Sequence, residues 1–286
     1  MATTQPAPRT MQPIDWAGAG GTRWKDNVDH FEAMLDGPGK ALIAAAAFVP
    51  GERVVEIGCG GGALTREIAH LVGPGGYALG LDISDELVAL AAERATAEGI
   101  GNIAFAAGDA QVVQPETGPF DRLVSRFGVM FFQDPAAAMA NLHAMIVPGG
   151  RLDFAVWAPA DENPQFMMMA LTGREHLGLA PADPRAPGPL AFSDAGYLEG
   201  LLSGAGFVDI RFAKWTGLLK AGWPGIDAAA AAELLARTGS TSDLLAEAGE
   251  EVQAAFLSSL ATRLAPFITA DGIAMPGSVH LVSASA

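Results

Sequence analysis

The stretch Val54-Val55-Glu56-Ile57-Gly58-Cys59-Gly60-Gly61-Gly62-Ala63 decides the fold. The run Arg53 to Ile57 is predicted as a strand, because its last four residues are apolar apart from one acid, which is typical of a buried strand in a parallel sheet. A glycine-rich loop follows, and the apolar spacing of residues 63–72 predicts a helix. A strand that runs through a glycine loop into a helix places that loop at the carboxyl edge of a sheet, where such folds bind their ligands.

The segments that follow repeat this alternation of strand and helix. Further strands are predicted at 77–81, 103–106, 120–125 and 151–156. One helix is predicted to follow Ser84 as its N-cap and to run through residues 97–99, and another is predicted at 135–146. Strands and helices that alternate at these lengths predict a parallel sheet covered on both faces. We therefore expect an α/β fold built on a doubly wound, Rossmann-like sheet.

The regular alternation covers only the central part of the chain. Residues 1–12 are expected to form a disordered tail and 13–50 a helical lead-in or cap, with two helical pieces broken at Gly37-Pro38-Gly39. Residues 51–157 form the predicted core, and 158–192 an insertion that serves as a lid or acceptor wall. Residues 193–286 are expected to complete the sheet, with strands at 208–215 and 278–283, the last antiparallel, around a helical insertion at 227–264.

Composition narrows the classes of partner. The chain has 17 Lys and Arg against 32 Asp and Glu, a formal net charge of −15. This excess of acids opposes long-range attraction to nucleic acid, so a small molecule is the expected partner. The single cysteine, Cys59, permits no intramolecular disulfide, which favours a cytoplasmic protein. No apolar run approaches the roughly 18 residues of a membrane span, and no metal site is predicted.

Acids at three successive strand ends select the cofactor. The glycine spacing alone fits a dinucleotide as well as S-adenosylmethionine (SAM). Glu56, beside the loop, is unfavourable near a pyrophosphate but favourable near the ammonium and sulfonium groups of SAM. Asp82 ends the second strand, where an acid accepts hydrogen bonds from ribose hydroxyls, and Asp109 ends the third, within reach of an adenine amine.

These segments together resemble the motifs of class I SAM-dependent methyltransferases, and most of all the group related to ubiquinone and menaquinone biosynthesis. The resemblance rests on the ordered segments 54–62, 79–84, 107–110, 120–127 and 147–152. It implies a seven-stranded sheet whose last strand is antiparallel, and helical insertions that form a lid. It also implies that residues 125–127 line the reaction chamber.

The resemblance assigns roles to individual residues. It implies that the glycines contact the methionine and ribose parts of SAM, that Asp82 binds the ribose, and that Asp109 with Ala110 binds the adenine. The expected cofactor contacts are Glu56, Gly58, Cys59, Gly60, Gly62, Asp82, Ile83, Asp109, Ala110 and Arg126. Arg126 has two further interpretations, since it also suits an acceptor carboxylate or a neighbouring acid.

The acceptor side of the site is less defined. Methyl transfer is an in-line displacement that depends mainly on placement, and a general base is needed only when the acceptor must lose a proton. His30 and His176 are the candidate bases, and Trp24, Phe127, Phe131 and Met168 are candidate acceptor contacts. Trp16 and Trp24 lie in a glycine-rich segment, where they either close over the cofactor or anchor a loop to the core. The predicted activity is methyl transfer from SAM to a small molecule. An NAD-dependent oxidoreductase and a non-catalytic SAM-binding protein are the alternatives.

Overall fold

A computed structural model describes residues 9–286 of the chain. Its strands are β1 Arg53–Ile57, β2 Tyr77–Asp82, β3 Ile103–Ala107, β4 Phe120–Arg126, β5 Ile146–Trp157, β6 Val208–Ala221, β7 Ile268–Thr269 and β8 Gly272–Ser285. Its helices are α1 Ala19–Asp26, α2 Val28–Met34, α3 Asp36–Ala46, α4 Ala63–Val72, α5 Asp85–Ala97, α6 Pro135–Ala144, α7 Pro164–Leu177, α8 Ala195–Gly204, α9 Ala228–Thr238, α10 Ser242–Ala246 and α11 Glu250–Leu264.

All the strands belong to one sheet in the order β3-β2-β1-β4-β5-β8-β6, and the two-residue β7 pairs with β8. Strands β1 to β5 run parallel to one another, whereas β8 is antiparallel to both β5 and β6. The predicted α/β sheet with an antiparallel last strand is therefore confirmed. Because the carboxyl ends of β1 to β4 meet at one edge, the loops that follow them can build a single site.

The sheet is buried between two helical layers. Val55, Leu123, Val124 and Leu152 are each fully buried, as expected for parallel strands covered on both faces. A second core, which includes the fully buried Phe256 and is shared by α7, α9 and α11, lies beside the long ends of β6 and β8. The two predicted insertions thus pack together as one helical unit.

Strands β6 and β8 extend well beyond their predicted lengths. The register continues to the pair Ala221 and Ile273, past the predicted end of the sixth strand at residue 215. Glycine and proline interrupt the sequence alternation in this part, which concealed the strands. Their mutual hydrogen bonds maintain the extended backbone there without that alternation.

The N-terminal region corrects one prediction. The expected break at residues 37–39 is wrong, because α3 begins at Asp36 and contains all three residues in its first turn. Proline is tolerated there, since the first N–H groups of a helix have no partner within that helix. The chain instead breaks at Leu35, and α1 is a further helix in the glycine-rich part of the predicted lead-in, before the two helical pieces that were expected.

The predicted disordered tail also needs correction. Residues 1–8 lie outside the described residues, but Arg9 pairs with the segment that follows α7. The Arg9 N–H donates to the Gly178 carbonyl at 3.0 Å, and the Arg9 carbonyl accepts from the Ala180 N–H at 2.9 Å. Disorder up to residue 12 is therefore wrong at Arg9.

Within residues 9–286, the structure contains no helix both long and apolar enough to span a membrane.

Candidate functional site

The glycine loop after β1 forms the floor of the candidate site. Gly58 and Gly62 both have positive φ angles, +70° and +78°, which favour glycine. A Cβ atom at Gly58 would lie only 2.7 Å from the Gly128 Cα atom, so the loops after β1 and β4 approach each other closely. Gly62 is the N-cap of α4 and offers no side chain to cap it. The loop therefore leads into a helix N-terminus that can bind an anion.

Asp82 connects the end of β2 to this loop. Its Oδ2 atom accepts a hydrogen bond from the Gly60 N–H at 2.8 Å, and its Oδ1 atom accepts from the Ser84 N–H at 3.0 Å. Burial raises the pKa of the Asp82 carboxyl, and these N–H groups oppose that effect. Ile83 is exposed beside it, and Ser84 caps α5 as predicted. The acid is thus positioned at the carboxyl edge with one lone-pair direction of each oxygen already used.

Asp109 is held by its neighbour Gln111. The Gln111 side-chain amide donates to both Asp109 oxygens at 3.0 and 3.1 Å, while Gln111 Oε1 accepts from the Asp134 N–H at 2.9 Å. The carbonyl of Ala110, which is buried, accepts from the Asn141 side chain on α6 at 2.9 Å. These contacts fix the segment after β3 against the start and middle of α6.

The side chain of Glu56 is almost completely buried. It is only 2% exposed, and its Oε2 atom accepts a hydrogen bond from the Thr65 hydroxyl on α4. Burial raises the pKa of the Glu56 carboxyl to about 8, against the opposing effects of Thr65 and then of the Arg126 charge. A pKa of about 8 favours the protonated carboxyl at neutral pH, which reduces its expected attraction for cations.

Cys59 has no reactive character in this loop. It is buried, and burial raises the pKa of its thiol well above the usual value. Its Sγ atom lies 2.9 Å from the position that a Cβ atom of Gly80 would take, so the thiol packs against β2. Its contribution to the site is shape rather than chemistry.

Helices α1 and α2 form a cap that lies directly on the glycine loop. Trp24 Nε1 is 3.2 Å from the position of a Cβ atom at Gly60, and Glu32 Oε1 is 2.7 Å from that position at Gly61. Arg94 on α5 holds the cap through Asp29 at 2.7 Å and Glu32 at 3.1 Å. The cap and the loop therefore enclose the site together.

Arg126, at the end of β4, borders a cavity of about 410 Å³ between the cap, α3 and the start of α4. It makes no ion pair with any carboxylate of residues 9–286. The neighbouring Ser125 was expected to line the chamber. That expectation is wrong, because Ser125 is buried and donates to the Ile57 carbonyl at 2.7 Å.

An aromatic group includes two residues of the cap. Trp24 stacks on Phe31 with ring centroids 3.9 Å apart, and Trp16 meets the edges of Trp24 at 5.7 Å and Phe131 at 4.8 Å. The indole N–H of Trp16 is buried and has no hydrogen-bond partner among residues 9–286. This group brings together two of the predicted acceptor contacts, Trp24 and Phe131, and adds an unused donor.

A second aromatic group follows β4 and β5. Phe127 stacks on Trp157 with centroids 4.3 Å apart, and Trp157 meets the edge of Phe166 at 5.3 Å. Met168, the remaining predicted acceptor contact, is instead buried in the second core with Leu177. The structure thus groups Phe127 with other aromatic residues and places Met168 elsewhere.

The two candidate bases occupy different surroundings. His30, on α2, lies beside Phe31 with ring centroids 5.6 Å apart. Partial burial, followed by the positive charge of Arg237, lowers the pKa of His30. His176 packs against Phe256 of α11, and its Nε2 atom is buried without a hydrogen-bond partner among the described residues. His30 is therefore next to the cap aromatics, whereas His176 belongs to the helical unit.

Sequence reasoning did not identify Glu32 or Phe31 as parts of the site, and it gave Trp16 two equal interpretations, a cover for the cofactor or an anchor for a loop. Glu32 lies in a predicted amphipathic helix, where an acid is typical of a solvated face, so no local signal distinguished it. Trp16 and Phe31 precede the core motifs, and only packing of the cap shows what they contact. A glycine-rich segment with two tryptophans was the one signal for an aromatic cover.

The chain is similar to known methyltransferases. The family described as "Methyltransferase domain" matches residues 54–150. A ubiquinone/menaquinone biosynthesis C-methyltransferase of Cellvibrio japonicus is 30% identical over 198 residues, which cover 64% of this chain and 78% of that protein. The aklanonic acid methyltransferase of a Streptomyces species is 34% identical over 127 residues, covering 44% of this chain and 56% of that protein. The chain also spans 61% of the nocamycin O-methyltransferase of Saccharothrix syringae, with 29% identity.

Solved structures with low sequence identity share the fold. The YcgJ protein of Bacillus subtilis has a TM-score of 0.55 and 18% identity, with 86% of this chain and 97% of that chain covered. The Haemonchus contortus phosphoethanolamine N-methyltransferase 2, solved with phosphomonomethylethanolamine and S-adenosylhomocysteine, has a TM-score of 0.56 and 16% identity. That match covers 93% of this chain and 60% of the other.

Proposed function

Because the chain belongs to the class I SAM-dependent methyltransferases, with SAM as the cofactor, we propose that it methylates a small, planar aromatic acceptor. The observation that carries the acceptor class is the aromatic group of Trp16, Trp24, Phe31 and Phe131. Aromatic rings stack on planar ligands with favourable offset or edge geometries.

The residues at the carboxyl edge fit the cofactor. Asp82 is fixed beside the loop for the ribose hydroxyls, and Asp109 with Ala110 is fixed for the adenine. Ile83, exposed next to Asp82, provides an apolar surface for a base. When bound, SAM supplies an electrophilic methyl group on a sulfonium. The protein's part is to place the acceptor in line with that group and to exclude water.

The acceptor lies, in this proposal, between the cap of α1 and α2 and the helical unit formed by 158–192 and 227–264. Arg23 on α1 forms an ion pair with Asp243 on α10, which links the two across the site. The names of three similar proteins refer to aklanonic acid, nocamycin and ubiquinone or menaquinone, all small molecules, which supports a small acceptor. A net charge of −15 supports the absence of nucleic acid partners.

His30 is the proposed general base for an acceptor that carries a hydroxyl group. Its lowered pKa keeps the imidazole neutral at pH 7, which is the form that accepts a proton. Its neighbour Phe31 belongs to the aromatic group, so the imidazole lies near the proposed acceptor. We also propose a cytoplasmic location, supported by the single buried cysteine.

The acceptor class is tested with radiolabelled SAM and three kinds of acceptor: a planar phenol or quinol, an aliphatic amine and an amino-acid carboxylate. We expect the label to enter the planar aromatic compounds, and Trp16→Ala to raise their KM. Trp223→Ala is the matched control, because Trp223 is 52% exposed on the loop after β6. Equal labelling of the aliphatic amine, with no effect of Trp16→Ala, would contradict the proposal.

A further inference from the structure

The cavity beside Arg126 has a charge pattern that the acceptor proposal does not use. Asp36 and Lys40 both line it, but they neutralise each other in an ion pair at 2.8 Å. Glu67, a further lining acid, is exposed. Apart from the solvent-exposed Glu67, the lining charges without full compensation among residues 9–286 are the guanidinium of Arg126 and the carboxylate of Glu32.

The carboxylate of Glu32 is only half satisfied. Its Oε2 atom accepts from Arg94 at 3.1 Å, whereas Oε1 is buried and has no hydrogen-bond partner within the described range 9–286. That oxygen lies over Gly61 of the glycine loop. A buried carboxylate oxygen without a partner is unfavourable, so this position suits a bound cationic donor.

The opposite wall of the cavity favours an anion. Ala63 and Leu64, the first residues of α4, line it together with Arg126. No side chain caps this helix, so its first N–H groups and its positive dipole end are available. One cavity therefore offers an acceptor for a cation and donors for an anion, the pattern that matches the ammonium and carboxylate of an α-amino acid.

We propose that Glu32 and Arg126 hold the amino-acid end of SAM, Glu32 accepting from its ammonium group and Arg126 donating to its carboxylate. This inference rests on the proposed function. An acceptor that is itself an amino acid would present the same chemistry, but the cavity adjoins the glycine loop and the α4 N-terminus, which favours the cofactor.

A ligand held by Glu32 and Arg126 would also attach the cap to the sheet. Glu32 belongs to the cap, whereas Arg126 belongs to the sheet, so a ligand that binds both connects the cap to the core. Arg94 already holds the cap from α5 through Asp29 and Glu32. The amino-acid end of the cofactor therefore completes the attachment of the cap that encloses the acceptor.

The test compares two ligands that differ in this end alone. S-adenosylhomocysteine contains the amino acid, and 5′-methylthioadenosine lacks it. Calorimetric titration of Glu32→Gln and Arg126→Met should show about 10- to 100-fold weaker binding of S-adenosylhomocysteine, as expected for a lost charge-assisted hydrogen bond. Binding of 5′-methylthioadenosine should be unchanged.

Matched controls separate recognition from cap attachment. Asp29→Asn removes the other Arg94 contact on the same helix, and the double variant Asp36→Asn with Lys40→Met removes the neutral ion pair of the cavity as a whole. Both should leave the ratio of the two affinities unchanged. If Glu32→Gln does not fold, Glu32→Asp tests the same contact, and Arg126→Lys should partly restore binding.

Equal weakening of both ligands by Glu32→Gln and Arg126→Met, or no weakening of either, would overturn this inference. The inference would also be overturned if the variants weakened the binding of an amino-acid acceptor but not the binding of S-adenosylhomocysteine. Failure of the unmodified protein to bind S-adenosylhomocysteine at all would instead overturn the proposed function, so the two failures are distinguishable.

Discussion

The carboxylate of Asp82 accepts a hydrogen bond from the Gly60 N–H at 2.8 Å, so the acid that ends β2 fixes the glycine loop that follows β1. The same carboxylate accepts from the Ser84 N–H, at the start of α5. Two adjacent strand-to-helix connections are thereby held by one side chain. Their positions relative to each other define the floor on which an adenosine cofactor would lie.

Asp82→Ala should weaken SAM binding and also destabilise the protein. We expect at least about a tenfold loss of affinity, and a decrease of about 1–3 kcal/mol in the free energy of unfolding, since two N–H groups lose a charged partner. Titration calorimetry and urea unfolding measure the two effects. Asp85→Ala, at the exposed start of α5, is the control. Unchanged SAM affinity in Asp82→Ala would contradict the assignment.

Gly62→Ala should be more destabilising than Gly149→Ala, although the two glycines have nearly equal φ angles of +78° and +80°. Alanine at either position pays the strain of a left-handed backbone, about 1–2 kcal/mol. At Gly62 the new methyl group would also lie 2.8 Å from Ala91 Cβ and 2.9 Å from Phe105 Cε1, whereas nothing is within 4 Å at Gly149.

Urea unfolding of both variants gives the comparison directly. The difference between them isolates the crowding beneath the glycine loop from backbone strain. Equal losses of stability would mean that the loop relaxes to accept a methyl group, and that the close packing of β1, α5 and β3 is not required.

Glu56 should make the stability of the protein pH-dependent. Its folded pKa of about 8 lies above the ordinary value of 4.5, so the native state retains a proton that the unfolded chain has released. The stabilisation is complete below pH 4.5 and is lost as the pH rises to about 8, at up to about 1.4 kcal/mol per pH unit. Glu56→Gln should flatten this slope, as measured by urea unfolding between pH 5 and 8.

The slope will not vanish entirely in that variant. Burial raises the pKa of Asp82 as well, in the same direction, so part of the dependence remains. An identical slope in the unmodified protein and in Glu56→Gln would show that Glu56 is ionised in the native state.

His30→Gln and His176→Gln should separate catalysis from stability. With a hydroxyl-bearing aromatic acceptor, we expect His30→Gln to lower kcat by about 10²- to 10⁴-fold at pH 7, the usual contribution of a general base. His176→Gln should change thermal stability instead, because its ring packs on Phe256. Steady-state kinetics and thermal melts distinguish the two. A loss of kcat confined to His176→Gln would reverse the assignment.

The core of the fold could be predicted because its signals are local. Residues 53–57 and 63–72 were predicted with their observed bounds, and Ser84 was predicted as the cap of α5. Buried parallel strands are continuous apolar runs, and glycines mark the turns between strand and helix. Asp82 and Asp109 were also predicted from local signals. Each follows a predicted parallel strand, and the carboxyl ends of parallel strands meet at one edge of the sheet.

The parts of the site that depend on tertiary contacts could not be predicted. Glu32 looks like any solvated helix acid until α2 is placed over Gly61. Burial of Glu56 was predicted from its strand, but the resulting increase in its pKa was not. Met168 was assigned to an acceptor wall from its apolar neighbours, and packing of α7 against α11 places it in a second core. The contact of Glu32, the pKa of Glu56 and the location of Met168 all depend on how the helices pack on the rest of the protein.

The measurement that tests the central claim most directly is calorimetric titration of the purified protein with SAM, S-adenosylhomocysteine and NAD. The proposed function predicts binding of the first two and none of NAD. Binding of NAD alone would contradict it, and the loop of Gly58, Gly60 and Gly62 with Asp82 would then have to be interpreted as a hydride-transfer site.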